Sequence, residues 1–178
     1  MRCIDRAGPT QTTLSDVAAE LSVTRQTVYR YFPGTDELFG AVGEVAVEAF
    51  VDDLTAHLRW KTEPAEWVVE ALASAIERLP NERYLTLLLA AGWSETFARG
   101  MTSEAAMRIA RTLLDRSRVD WRGAGLSSTD VDGLIEVMVR FLQSMILDPP
   151  DPPRVGTELR HFLRRWIAPS VLPVPVAP

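Results

Sequence analysis

Between Thr24 and Phe32 the chain gathers Arg25, Gln26, Thr27, Tyr29 and Arg30 on one short polar stretch. Val28 and Phe32, four apart, form its apolar side. Those polar types suit one kind of chemistry. An Arg fork matches the acceptor pair of guanine, a Gln amide matches adenine, and a Thr methyl can touch the thymine methyl. Arg, Thr and Tyr also donate to phosphate oxygens, which fixes position without reading sequence. Arg25, Gln26, Thr27 and Tyr29 are therefore candidates for base edges, and Thr13, Thr24, Arg30, Tyr31 and Thr35 for phosphates.

Two helices must hold these residues in place. Leu14, Val17, Ala18 and Leu21 recur at the spacing of one helical face. Thr13 or Ser15 can cap its start. Ser22 and Val23 break the pattern, and Thr24 then stands where an N-cap belongs, ahead of a second helix from Arg25 to about Phe32. Two short helices joined by such a turn, the second polar and cationic outward, make the helix-turn-helix pattern, whose second helix fits the major groove of DNA. The periodicity alone also fits a helical hairpin whose outer face is merely solvated.

The residues carry a sharper signal. Residues 12–39, TTLSDVAAELSVTRQTVYRYFPGTDELF, resemble the DNA-binding segment of the tetracycline-repressor (TetR) family of bacterial transcription regulators. The run V-Y-R-Y-F, with a polar turn and D-E-L-F after it, is the most specific part. The resemblance covers roughly residues 2–55. It implies a homodimeric repressor that binds a pseudo-palindromic DNA operator and releases it when a small molecule binds. The corresponding domains are a helix-turn-helix domain over 1–40 and a helical effector-binding and dimerisation domain over 41–178. The resembling family has a full first helix with a basic arm before it. Here residues 2–6 read as the last turn of a helix closed by Ala7-Gly8-Pro9, so a truncated first helix is expected. A full one would pack on Leu14, Val17, Leu21 and Val28. Family members often carry a Lys just before the long fourth helix. This chain has Gly34-Thr35, which leaves the Thr hydroxyl and the helix N-terminus for that role.

Composition sets limits. The 178 residues are 47% apolar and 24% charged, ordinary for a globular chain large enough for a real core. Helical spacing recurs and strand-like alternation does not, so the fold class is all-α. Cys3 is the one cysteine, which rules out an internal disulfide or a thiol metal site and suits a cytoplasmic location. No apolar run is long enough to span a membrane, and the N-terminus has no signal-peptide pattern. The net charge of −5 argues against bulk attraction to nucleic acid. Even within residues 1–40, Arg2, Arg6, Arg25 and Arg30 face Asp5, Asp16, Glu20, Asp36 and Glu37. DNA affinity must then come from where the arginines sit, and is expected to be modest and strongly salt-dependent.

Beyond the turn at Pro33-Gly34, Thr35 can cap a helix from Asp36 to about Trp60, roughly 36 Å long. Further helices are expected over 65–79, from Pro80 to about Ala91, from a Ser103 cap to about Val119, from Ser127 or Ser128 to about Leu147, and over 154–167. The helix after Pro80 is apolar nearly all round and should be buried centrally. Pro149 to Pro153 forms a stiff connector, and the proline-rich tail PSVLPVPVAP should not be helical.

Tyr84, Trp93, Phe97, Met101 and Met107 cluster in the middle helices as candidates for an apolar or aromatic ligand pocket, with His57 and Trp67 as further ones. Such residues also fill cores. The last two long helices offer Leu134, Met138, Phe141, Met145, Leu159, Phe162 and Trp166 as a dimer seam, against ordinary core packing. Two other classes compete. A helical enzyme would need a site. Glu158 and His161 match the Glu-x-x-His pair of di-iron bundles, but the chain's other histidine, His57, lacks a Glu at the right offset. No metal or cofactor is expected, and no nucleophile stands beside a base. A helical module that binds only protein or ligand, without DNA affinity, is the main alternative. It would have no use for Arg25, Gln26 and Arg30 on an exposed helix.

Overall fold

The computed structural model describes residues 1–84 and 104–171. Every regular element among the described residues is helical, and none is long and apolar enough to cross a membrane. The helices are α1 (Arg2–Ala7), α2 (Leu14–Glu20), α3 (Arg25–Tyr31), α4 (Thr35–Leu58), α5 (Pro64–Arg78), α6 (Glu104–Asp115), α7 (Ser128–Leu147) and α8 (Gly156–Trp166). Short 3₁₀ turns cover Pro9–Gln11, Leu79–Asn81 and Ala168–Val171. The chain divides into two compact units. One is Met1–Phe50 with Asn81–Glu95, the other Val51–Pro80 with Thr96–Pro178.

Local sequence accounts for most helix ends. Thr13 caps α2 in a reciprocal box: its hydroxyl accepts from the Asp16 amide at 3.2 Å, and the Asp16 carboxylate takes the Thr13 N–H at 2.8 Å. Ser127 and Asp130 make the same box at the start of α7, and Thr24 caps α3 through its hydroxyl. Pro64 opens α5, where its missing N–H costs nothing, and Glu63 accepts the Glu66 amide. Gly8, at φ 79°, ends α1. Thr35 is the first residue of α4 rather than its cap.

In the first unit, Leu14, Ala18, Val28 and Leu38 form one buried cluster, with Val17 and Phe32 packed on it. Val28 is thus the anchor that fixes α3. Ile4, Phe39 and Val42 form a second cluster, and Tyr84 packs against it. Of the residues expected to receive the first helix, Leu14 and Val28 are buried, while Leu21 stays exposed beside a groove of about 340 Å³.

In the second unit α5 is central among the described helices. It packs on α7, α8 and the terminal 3₁₀ turn. Trp67, Val68, Val69, Ala71, Leu72, Ala73, Ser74 and Ala75 are all buried, so α5 is covered on more than the one side its periodicity announces. The expected helix after Pro80 lies almost wholly outside the described residues. The tail corrects an expectation: Ala168–Val171 makes a 3₁₀ turn and buries Val171. A single turn needs few backbone donors, and Ser170 supplies the N–H that Pro169 lacks.

The turn between α2 and α3 stores some strain. Ser22 has φ 54°, in the left-handed region, where a Cβ meets the following carbonyl. Ser22→Gly is expected to raise stability by about 0.5–1 kcal/mol. A urea midpoint that moves up with unchanged slope would show it; a lower midpoint would mean the turn is not strained.

Candidate nucleic-acid interface

The candidate interface is α3 and the turns around it. Val28 points inward, which turns Arg25, Gln26, Tyr29 and Arg30 to the surface and leaves Thr27 half-buried. The side chains of Arg25, Gln26 and Tyr29 make no hydrogen bond or ion pair with the described residues. They stand on the first two turns of α3, the part of a reading helix that reaches base edges.

The candidate phosphate donors are placed less evenly. The Thr24 hydroxyl is the α3 cap, accepting the Thr27 N–H at 3.2 Å and sharing a hydrogen bond with the Thr27 hydroxyl at 2.9 Å. Both hydroxyls are therefore engaged, and Thr27 keeps its methyl as the group free to touch a base. The Thr13 hydroxyl donates to Asp16 at 2.6 Å. That contact, with the Thr13 backbone N–H, holds the Asp16 carboxyl below its ordinary range. A phosphate at Thr13 would meet a fixed carboxylate, so the structure gives this residue a capping role. The Arg30 guanidinium lies over the Tyr31 ring at 5.1 Å from its centre and donates to the Tyr31 hydroxyl at 3.3 Å. The two form one exposed donor pair. Thr35 begins α4, where unpaired backbone N–H groups point outward.

Charges sort themselves in a way the count conceals. Arg2 and Arg6 both pair with Glu20, at 3.1 and 3.2 Å. Asp5 is held by Arg83 and by the Tyr84 hydroxyl, at 3.1 and 3.0 Å. Asp16 is spent in its capping box, and Asp36 and Glu37 sit at the positive end of α4. Arg25 and Arg30 have no carboxylate at ion-pair distance among the described residues. The face is cationic although the chain is acidic.

One comparison decides what this face belongs to. Residues 1–42 match the family model described as bacterial regulatory proteins, tetR family. Residues 1–42 are thus a tetR-family N-terminal domain. No curated protein and no solved structure matches the chain significantly. A tetR-family domain of this kind indicates a DNA-binding transcriptional regulator with a helix-turn-helix reader, and α2, the Ser22 turn and α3 correspond to that reader.

The other candidate sites fare differently. Trp93, Phe97 and Met101 lie outside the described residues. Tyr84 belongs to the first unit, packed on Ile4, Phe39 and Val42, whereas Met107 belongs to the second. Sequence periodicity had no signal for this return of the chain at Asn81, because the contact joins residues far apart in sequence. In the dimer set, Leu134, Met138 and Leu159 are buried inside the second unit, Leu159 completely. They are core residues, not free interface, because α7 and α8 both pack on α5. Phe141, Met145 and Phe162 are half-buried and Trp166 is exposed. The Phe141 and Phe162 rings stack with centres 6.5 Å apart. Glu158 of the Glu-x-x-His pair is paired with Arg154.

Proposed function

We propose that this protein is a ligand-responsive repressor that binds a pseudo-palindromic operator as a homodimer in the cytoplasm, and is not an enzyme. The observation that carries the reading is the free, exposed set Arg25, Gln26 and Tyr29 at the start of a helix anchored by Val28. Residues 1–40 read DNA; residues 41–178 pair two copies and take an apolar or aromatic effector. The half-buried Phe141, Met145 and Phe162 and the exposed Trp166, which keep accessible surface on α7 and α8, are the proposed seam. One short helix reads too few base pairs alone, and a two-fold pair reads two half-sites about one DNA turn apart. Linkage fixes the regulation: an effector that weakens DNA binding is itself weakened by DNA to the same degree.

Selection of bound duplexes from a random library, with the full chain at low salt, tests this. A pseudo-palindrome supports the dimeric reader. A lone half-site removes the dimer, and no enrichment leaves a helical protein- or ligand-binding module without DNA affinity.

Two substitutions separate reading from positioning. Gln26→Ala is expected to relax the preference at one base pair, losing roughly 1–3 kcal/mol of discrimination. Arg30→Ala is expected to weaken all duplexes alike and lower the salt slope by about one. A motif unchanged by Gln26→Ala removes that residue from the reading set. A loss confined to one base position overturns the phosphate role of Arg30.

A further inference from the structure

The cations of the second unit are mostly neutralised in place. Arg78, Arg111, Arg116, Arg140, Arg160 and Arg164 each have a carboxylate at ion-pair distance. One cluster departs from this. Arg59 and Arg118 lie over the ring of Trp60, at 5.0 and 5.6 Å from its centre, and Lys61 comes next in the chain. None of these three cations has an ion-pair partner among the described residues. Trp60 itself is 70% exposed. Arg122 and Arg165 have no ion-pair partner among the described residues either, and Arg165 lies over exposed Trp166, but among the described rings Trp60 is the one that carries two guanidiniums.

The surface presents two guanidinium forks and an indole N–H that meets no described partner, with the Lys61 ammonium next in the chain. Its ligand must be rich in anionic oxygens. Three features choose among such ligands. The two guanidiniums already occupy the indole, so a nucleobase would have to displace a cation in order to stack. Trp60 is the one exposed large apolar side chain in residues 51–64 and 113–126, too little to seat the unit in a lipid interface. The patch is also short. Asp52 holds Arg116 at 2.7 Å, and Asp115 and Asp120 flank Arg118 in the chain, so no cationic track runs on to accompany a phosphate backbone. An exposed Trp braced by arginines is the composition of a protein-protein hot spot.

We propose that the Trp60 surface docks a short carboxylate-rich segment of a protein partner, gripped by Arg59, Lys61 and Arg118. This is independent of the DNA reading, because it uses none of the α3 residues. The probe is fluorescein-labelled poly-L-glutamate, titrated with the full chain in moderate salt and monitored by anisotropy. Single-stranded oligothymidine and phosphatidylglycerol vesicles serve as the rival polyanions. Poly-L-glutamate is expected to bind, and Trp60→Ala and Arg118→Glu are each expected to weaken it about tenfold or more. Both variants keep the helical circular dichroism, since both side chains are on the surface. Arg30→Ala, on the reader, leaves the affinity unchanged. The proposal is overturned if poly-L-glutamate does not bind, if neither variant moves its affinity, or if Arg30→Ala removes it. Stronger binding of oligothymidine or of the vesicles through the same residues overturns it too, and assigns the surface to nucleic acid or membrane instead.

Discussion

Leu159→Ala is expected to lower the unfolding free energy by about 3 kcal/mol and to leave the proposed dimer intact, whereas Phe141→Asp is expected to split the proposed dimer with less effect on the single copy. Leu159 is fully buried on α8, which packs on α5, so truncation removes apolar contact and leaves a cavity that the surrounding helices fill only in part. Phe141 is half-buried on α7, stacked on Phe162, with part of its surface toward solvent. A carboxylate there is tolerated in a single copy, where it can reach water, and is costly in a dry seam between copies. Operator binding should then fall on the order of a hundredfold or more, because two linked reading heads become two separate ones. Light scattering and denaturant unfolding on both variants check the pair. If Phe141→Asp remains dimeric, the seam lies elsewhere. If Leu159→Ala dissociates the dimer at unchanged stability, Leu159 is an interface residue after all.

The contrast between those two leucine- and phenylalanine-bearing helices shows where sequence reading stops. An apolar stripe says that a helix face is covered, not what covers it. Leu134, Met138 and Leu159 share their spacing with Phe141 and Phe162, and only the packing of α5 separates core from free surface. Features set by a few neighbouring residues were legible. Thr13, Thr24 and Ser127 announce helix starts by their own type and by the three or so residues after them. Val28 and Phe32 fix which way α3 faces, and periodicity throughout gives the helical class. Features set by distant residues were not legible. The pairing of Arg2 and Arg6 with Glu20, which strips the acidic N-terminus down to two free arginines on α3, depends on how α1 meets α2. The Tyr84 contact with Asp5 and the Arg118 contact with Trp60 join residues from separate helices and loops. The engagement of the Thr13 and Thr24 hydroxyls is a local matter, yet the residue types alone do not say whether a cap or a phosphate holds them.

Glu70→Gln is expected to destabilise the second unit by about 1–2 kcal/mol at neutral pH and by almost nothing below pH 2. Glu70 on α5 takes two hydrogen bonds from the Arg160 guanidinium on α8, at 2.7 and 2.9 Å. His57 of α4 meets the same carboxylate at 3.2 Å. The Arg160 fork is the main cause that holds the Glu70 carboxyl down to about 2 from an ordinary 4.5, against the opposing effect of burial. Glu70 is therefore a carboxylate favoured in the folded state. Its contribution is complete above about pH 4.5 and is lost as pH falls through about 2, where folded and unfolded chains bind the same proton. The full shift would correspond to a larger energy, but part of the group is open to solvent, which screens the pair. Arg160 keeps Glu77 at 3.1 Å, so Gln at position 70 leaves the guanidinium with one partner rather than none. Glu66 and Arg164 repeat the arrangement one turn away. Urea unfolding of the parent chain and of Glu70→Gln at pH 7, 4 and below 2 should show two curves that converge on the acid side. A gap that persists below pH 2 would trace the loss to packing rather than to charge. No gap at pH 7 would show that Glu77 alone holds Arg160, and that the ladder between α5 and α8 tolerates the loss of its middle rung.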